Sequence, residues 1–242
     1  MQKILKFGGT EFYAAGDAAL YWPPKDMLLV ADLHLEKASN YARHGQMLPP
    51  YDSLATLEEL QRMIALTGAR SVVCLGDNFH DIGGEARLSG QAAEILLSLT
   101  AQNRWTWITG NHDPALEAKW GGVTHRELQI SGIILRHEAQ PREAMPEISG
   151  HFHPKLRVIM KRRQLVRRCM IVSDRKIIMP AFGALTGGMD AAEAAEIAQP
   201  GAITSGEARG VLALPGGFAQ FPLIHAAPRT KPFPRAHALP PA

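Results

Sequence analysis

Two histidines lie one residue apart in the short segment SGHFHP, which covers residues 149–154 of the 242-residue chain. Side chains two positions apart on a strand point to the same side, so His151 and His153 could bind one metal ion, two metal ions or none. On an extended strand their Cα atoms would lie about 6.6–7 Å apart, which fits two adjacent ions at least as well as one. In that arrangement Phe152 points the opposite way toward packing, and Pro154 ends the strand. An isolated H-x-H pair is equally compatible with a structural role.

Five short apolar runs each end in polar residues that could bind a metal ion. The runs cover residues 27–34, 71–80, 105–113, 132–138 and 147–154. Each run predicts a buried strand whose C-terminal end opens into a loop. The groups at these ends are Asp32, His34, Asp77, Asn111, His112, His137, His151 and His153. Carboxylates, imidazoles and an amide oxygen suit manganese, iron or zinc, and a set without thiolates disfavours a structural zinc knuckle. One such residue would more often be structural, but eight at strand ends indicate a metal site.

Helical patterns separate these strands. Asp52 or Ser53 can cap a predicted helix that ends near Gly68, and a second helix is predicted over roughly 85–100. Strands that alternate with helices predict an α/β domain with parallel strand pairing. Active sites of such domains gather beyond the carboxyl ends of the strands, which is where the candidate ligands fall.

The pattern changes after Pro154, where we predict strands joined by a basic turn and by a second turn at Ser173-Asp174. An alanine-rich helix over 191–198 and a final strand pair are predicted to follow. We expect one domain over residues 1–225 and a Pro-rich, disordered tail over 226–242.

The composition is that of an ordinary soluble globular protein, with 46% hydrophobic and 20% charged residues. The N-terminus does not resemble a signal peptide, and no apolar stretch is long enough to span a bilayer, so we expect a cytoplasmic protein without a membrane partner. Cys74 and Cys169 lie far apart in apolar segments, where buried free thiols are expected.

Positive charge is concentrated between residues 155 and 176, where nine basic residues accompany one acid although the whole chain carries a net charge of only +3. A local positive patch indicates a polyanionic partner, and a solvated strand face is the alternative interpretation.

The segments D-L-H, GDNFH, GNHD, a later single histidine and GHFH resemble, in order and spacing, the five signature blocks of calcineurin-like metallophosphoesterases. This resemblance covers roughly residues 27–154. It implies an α/β fold in the form of a four-layer αββα sandwich, with mixed sheets and a binuclear metal site at the C-terminal ends of the strands. It also implies that Asp32, His34 and His153 hold one metal ion, that Asn111, His137 and His151 hold the other, and that Asp77 bridges them. Two divalent ions about 3.5–4 Å apart can clamp a phosphate and lower the pKa of a bridging water.

The same resemblance gives the remaining histidines their expected roles. His112 would protonate the leaving oxygen or stabilise the phosphoryl charge. The block GDNFH is more similar to the nuclease branch of the family, which implies a supporting catalytic role for His80; a histidine that orients Asp77 or a loop is the alternative. Asp81 and Asp113 are expected to support or cap these loops. We expect two divalent ions, with Mn²⁺ preferred and iron or zinc as alternatives.

The segments ALYWP, VADLHLEKA and PAFGALTGG further resemble the bacterial ligase-associated metallophosphoesterases, which extends the resemblance to about residues 19–188. That branch implies a DNA endonuclease or phosphodiesterase in the DNA-damage response, associated with a DNA ligase, helicase or nuclease. DNA would then contact the basic segment, for which the candidate residues are Arg162, Arg163, Arg167 and Arg168. Tyr41 and His44, in the loop after the first block, could contact substrate or form a lid. The rival functions are a small-molecule phosphoesterase acting on nucleotides or cyclic nucleotides, and a non-catalytic scaffold.

Overall fold

The computed structural model describes residues 3–113, 116, 118–160 and 163–223. Its first half forms a seven-stranded mixed sheet with the strands in sequence order. The strands are β1 (Leu5–Phe7), β2 (Thr10–Ala15), β3 (Ala19–Trp22), β4 (Met27–Val30), β5 (Ser71–Leu75), β6 (Arg104–Ile108) and β7 (Val123–His125). β1 to β4 pair antiparallel, whereas β4 to β7 pair parallel because α-helical connections carry the chain back between β4 and β6.

The second sheet also has seven strands, in the order β16-β15-β13-β14-β10-β9-β8. Its strands are β8 (Glu127–Ile130), β9 (Ile133–Arg136), β10 (Glu147–Ser149), β13 (Met170–Val172), β14 (Lys176–Ile178), β15 (Arg209–Leu214) and β16 (Gly217–Pro222). β11 (Lys155–Met160) and β12 (Arg163–Arg168) form a separate antiparallel hairpin. The strands predicted after Pro154 are therefore all present.

Five α-helices accompany the sheets in the described part of the chain: α1 (Lys37–Arg43), α2 (Asp52–Thr67), α3 (Gly84–Arg87), α4 (Gly90–Gln102) and α5 (Ala191–Ala198). α2 ends before Gly68, whose φ is +68°, and α5 has the predicted bounds. The helix predicted over 85–100 is two helices, because Leu88 is extended and Gly90 adopts a φ of +57°. α1 was not predicted.

Apolar side chains fill three spaces between four layers. Leu60 of α2 packs against the first sheet, Val73 and Ile148 meet between the two sheets, and Ala195 of α5 packs against the second sheet. The fold is the αββα sandwich that the sequence predicted.

The prediction for the two cysteines is also confirmed. Cys74 and Cys169 are buried free thiols. Trp105 and Trp107 of β6 are packed in the core. No helix among the described residues is long and apolar enough to cross a membrane. The predicted tail, residues 226–242, lies outside the described residues.

Candidate metal centre

The predicted ligands lie in loops that follow neighbouring parallel strands: β4, β5 and β6 in the first sheet, and β9 and β10 in the second. Because the carboxyl ends of parallel strands meet at one edge of a sheet, these loops converge. Asp32 and His34 follow β4, Asp77 follows β5, Asn111 and His112 follow β6, His137 follows β9, and His151 and His153 follow β10. The tertiary structure thus brings all seven predicted metal ligands together.

The first group of donors consists of Asp32, His34, Asp77 and His153, which offer ligand atoms within 4.8 Å of one another. The Nε2 atoms of His34 and His153 are 3.2 Å apart, and the Nε2 of His153 lies 3.5 Å from Asp32 Oδ1. The Nε2 of His34 lies 3.8 Å from Asp77 Oδ2. These four side chains surround one position that a cation can occupy.

The second group consists of Asp77, His137 and His151, again within 4.8 Å of one another, and Asn111 completes it. Asn111 Oδ1 lies 2.9 Å from His137 Nε2 and 3.1 Å from His151 Nδ1, and the two ring nitrogens are 3.1 Å apart. Asp77 Oδ1 lies 3.4 Å from His137 Nε2. Asp77 therefore belongs to both groups, as expected for a bridging ligand.

The chemistry of these donors fits two divalent ions. The Nδ1–H of His137 donates to the carbonyl oxygen of Leu75 at 3.0 Å, so its Nε2 presents a lone pair to Asn111 Oδ1 and Asp77 Oδ1. Asp32 and Asp77 are buried, and no lysine or arginine of the described residues pairs with either carboxylate. Converging lone pairs and two unpaired buried carboxylates repel one another unless cations lie between them.

Burial keeps His34 and His151 in the form that binds metal. The pKa of His34 is lowered to about 2, mainly by burial and then by the positive charges of His153 and Lys37. Burial is also the main cause of the lowered pKa of His151, followed by the charge of His137. A neutral imidazole offers the lone pair that a metal ion requires.

Five of the ligands adopt a left-handed backbone that residues other than glycine rarely use. Their φ angles are +53° at Asp32, +46° at His34, +46° at Asp77, +72° at His151 and +48° at His153. Such a conformation costs on the order of 1–3 kcal/mol per residue and concentrates at functional sites. Hydrogen bonds between the loops hold it: Asp32 N–H donates to Gly76 O, and His34 N–H donates to Asp77 O.

The extended geometry predicted for His151 and His153 is wrong. β10 ends at Ser149, and the two histidines lie in a turn in which the N–H of Phe152 donates to Gly150 O at 2.9 Å. The backbone turns there because the N–H of His151 donates to Asp32 Oδ2, also at 2.9 Å. Each histidine still joins a different donor group, and Phe152 is packed in the core as predicted.

His112 lies beside the donor groups without joining either. Its Nδ1–H donates to the carbonyl of His80 at 2.7 Å, so Nε2 is free to exchange a proton, and Nε2 lies 3.9 Å from Asp77 Oδ2. The His80 ring stacks on the His112 ring at 5.3 Å and contacts His34 through its Nδ1 at 3.4 Å. This arrangement fits both the supporting catalytic role and the orienting role that the sequence left open for His80.

The two aspartates that follow these histidines hold the loops. Asp113 accepts the N–H groups of Asn78, Phe79 and Gly110, which ties the loop after β5 to the loop after β6, and burial raises its pKa to about 6. Asp81 pairs with Arg87 of α3.

Two glycines, Gly110 and Gly150, allow the backbone to approach the carboxylates of Asp77 and Asp32. A Cβ at Gly110 would lie 2.2 Å from Asp77 Oδ1, and a Cβ at Gly150 would lie 2.4 Å from Asp32 Oδ2.

Replacing Gly150 by alanine is therefore expected to displace Asp32 and to lower kcat/KM for a diester by about 10²-fold, the typical effect of a displacement of about 1 Å. Gly187→Ala is the matched control, because nothing lies within 4 Å of its added Cβ. Steady-state assays of both variants check this expectation, and full activity in Gly150→Ala would show that the carboxylate tolerates the shift.

The three described members of the predicted DNA-contacting arginines, Arg163, Arg167 and Arg168, do not lie on one face of the hairpin. Arg162 lies outside the described residues. Arg163 and Arg167 are exposed and, by strand register, lie on one face of the β11–β12 hairpin. Arg168, which is opposite Lys155 in the strand register, lies on the other face. The Arg168 guanidinium donates to the carbonyls of Phe182 and Gly183 at 3.1 and 2.7 Å.

The segment around Phe182 and Gly183, which Arg168 contacts, supports the site, and the sequence did not reveal this structural role. The N–H groups of Phe182 and Gly183 donate to the carbonyls of Ala31 and Asp32. Arg168 therefore helps to hold the segment that holds Asp32, and its part in substrate binding remains a prediction.

The loop predicted around Tyr41 and His44 is largely helix α1. Tyr41 lies with its ring 6.0 Å from the His80 ring, whereas the exposed His44 side chain contacts Asn40 O at its own helix end. The position of Tyr41 is thus compatible with the predicted role in substrate contact or as a lid, which stays a prediction.

The family model of calcineurin-like phosphoesterases matches residues 26–160, more than half of the chain, so this chain belongs to that family. It is accordingly a hydrolase of phosphoester bonds that uses divalent metal ions. The crystal structure of the nuclease MPE from Pseudomonas putida is 25% identical, with a TM-score of 0.69 over 91% of this chain and 100% of that one. The phosphoesterase YfcE from E. coli is 18% identical, with a TM-score of 0.38 over 68% of this chain and 84% of that one. No curated protein matched the chain.

Proposed function

We propose that this protein is a Mn²⁺-preferring phosphodiesterase that cleaves DNA, as an endonuclease or phosphodiesterase of the DNA-damage response. The observation that carries the proposal is the pair of donor groups that share Asp77, with His112 beside them. When bound, two divalent ions supply Lewis-acid activation of the phosphate and of a water nucleophile. The cytoplasmic location expected from the sequence belongs to the same proposal. So does the association with a DNA ligase, helicase or nuclease, which rests on the sequence resemblance.

The side chains divide the remaining work among them. Asp32, His34 and His153 would hold one ion, and Asn111, His137 and His151 would hold the other. Asp77 lies between the two groups, and the Asn111 oxygen adds a ligand without adding charge. His112, fixed by the carbonyl of His80, donates a proton from Nε2 to the leaving oxygen.

DNA is the proposed substrate for two reasons. The relative from Pseudomonas putida is named as a nuclease, and the exposed Arg163 and Arg167 follow the metal-binding block closely in sequence. An activity screen with Mn²⁺ across single-stranded DNA, duplex DNA, RNA and small diesters tests this choice. Cleavage of nucleotides or cyclic nucleotides alone would favour the small-molecule alternative.

Replacing His112 by alanine is expected to lower kcat for bis-p-nitrophenyl phosphate by about 10²–10⁴-fold, the usual contribution of a positioned acid. His80→Ala should lower it less, by about 10–100-fold, because it acts through His112. The exposed His125 of β7 provides the control, since His125→Ala should retain activity.

Measuring the metal content of a variant shows whether its activity is lost because a catalytic group is missing or because the metal ions are missing. His112→Ala should retain both ions when measured by plasma mass spectrometry, because His112 is in neither donor group. Full activity in His112→Ala would contradict the assigned role. Wild-type protein without transition metal and without phosphoesterase activity would instead revive the scaffold alternative.

A further inference from the structure

Two lysines lie half-buried at the edge of the metal centre. Lys37 begins α1, three residues after His34, and Lys155 begins β11, two residues after His153. Among the described residues, neither ammonium has a carboxylate within 4.0 Å. Burial lowers the pKa of each lysine, and the charge of Lys155 lowers that of Lys37 further. The two lysines thus follow ligands whose Nε2 atoms are 3.2 Å apart, and neither has an ion-pair partner among the described residues.

The contacts that the two lysines make leave their ammonium groups able to bind an anion. Lys155 Nζ donates to the carbonyl of Thr186 at 3.2 Å, which directs it but does not neutralise it. Lys37 Nζ lies 6.0 Å from the centroid of the Tyr41 ring. Asp52, the acid whose charge acts on Lys37, is already engaged by the N–H of Ala38. Partly buried cations without a direct ion-pair partner are stabilised when an anion binds to them.

The position of the lysines separates them from the scissile phosphate. A row of side chains runs from Lys37 through Tyr41 and His80 to His112, with ring centroids 6.0 and 5.3 Å apart along it. The charge of Lys37 is still near enough to lower the pKa of His34 and His80. The cationic pair therefore lies beside the donor groups and outside them.

We propose that Lys37 and Lys155 form a second anion site, which binds the phosphate next to the scissile one in a nucleic-acid strand. This inference rests on the proposed function and adds the residues that favour a polymer over a small diester. The neighbouring phosphate would supply the direct ion-pair partner that neither lysine has among the described residues.

Binding of a 5′-fluorescein-labelled thymidine 12-mer, measured by fluorescence polarisation in EDTA at several NaCl concentrations, tests the site without metal or turnover. Lys37→Met and Lys155→Met should each weaken binding about tenfold, because each loses a charge-assisted contact. Each should also reduce the slope of log K against log[NaCl] by about 0.7, the value for one phosphate contact on a single strand. Lys37→Arg and Lys155→Arg should restore the slope, and Lys6→Met, remote in β1, is the matched control.

Catalysis gives the second measurement. With Mn²⁺, the ratio of kcat/KM on the 12-mer to that on bis-p-nitrophenyl phosphate should fall about tenfold in each methionine variant. Unchanged salt slopes, or equal losses on both substrates, would overturn the second anion site. If the wild-type protein cleaves neither substrate but binds the 12-mer with a lysine-dependent slope, the proposed function fails and the anion site stands.

Discussion

Replacing Asp77 by alanine is expected to empty both metal positions and to lower phosphodiesterase activity by about 10³-fold or more. Asp77 is the one carboxylate shared by the two donor groups, with Oδ1 3.4 Å from His137 and Oδ2 3.8 Å from His34. Its loss removes the negative charge between two cations, whose catalytic contribution is several kcal/mol, and each 1.36 kcal/mol corresponds to a factor of ten. Plasma mass spectrometry and kcat/KM for a small diester measure the two effects.

A second variant separates charge from folding. Asp77 Oδ1 also accepts the N–H of His112 at 3.0 Å, so alanine loosens the loop after β6 as well. Asp77→Asn keeps an acceptor there and removes only the charge, so it should fold like the wild type yet lose metal and activity. Asp174→Ala, at an exposed turn, serves as the control. Two bound ions and unimpaired turnover in Asp77→Asn would refute the shared-ligand arrangement.

Replacing Glu147 by alanine is expected to lower the free energy of unfolding by about 3–5 kcal/mol, the usual effect of removing one partner of a buried ion pair. Glu147 and Lys176 are 0% and 2% exposed, and they pair directly across β10 and β14. Burial raises the pKa of Glu147, while Lys176 and Arg136 act in the opposite direction. Without the carboxylate, the Lys176 ammonium keeps the carbonyl of Gln140 as a partner but has no counter-charge.

Thermal and denaturant unfolding measure this effect, and for a domain of this size the melting temperature should fall by roughly 6–20 °C. The double variant Glu147→Gln/Lys176→Met should be more stable than Glu147→Gln alone, because it removes the orphaned charge as well. Arg136 retains Glu127 and Glu143 as partners. Glu11→Gln, which breaks an exposed pair with Lys6, is the control and should change the melting temperature by about 2 °C at most. A melting temperature of Glu147→Gln within about 2 °C of the wild-type value would show that the Glu147–Lys176 pair is not required for stability.

The α/β class and the positions of the ligands at strand ends were predictable from local patterns, whereas the αββα layering was implied by the family resemblance. Apolar runs that end in Asp77, Asn111 or His137 mark strands and their carboxyl ends, because burial of both faces of a strand requires a continuous apolar run. The bounds of α5 and the end of α2 before Gly68 follow equally from local composition and backbone preference.

Helix α1 was missed because its stabilisation is tertiary. Its N-cap, Glu36, has no capping side chain of its own. Ser53 Oγ and Asp52 Oδ2 accept the N–H groups of Glu36 and Ala38 from 14–17 residues away. The same two residues were predicted to cap α2, whose N-cap is instead Tyr51 without a side-chain hydrogen bond. A local pattern cannot show which of two neighbouring helix ends a side chain will cap.

The sequence by itself determined which residue types lie at the strand ends, and hence that metal chemistry and a polyanionic substrate were to be expected. Only the tertiary structure decided that Asp77 faces both donor groups and that His151 and His153 reach them from a left-handed turn. It also placed Arg168 on the face opposite Arg163 and Arg167, and left Lys37 and Lys155 without carboxylate partners among the described residues. Residue spacing reports one strand or helix at a time, whereas ligand sharing, strand face and charge neutralisation depend on atoms that distant segments bring together.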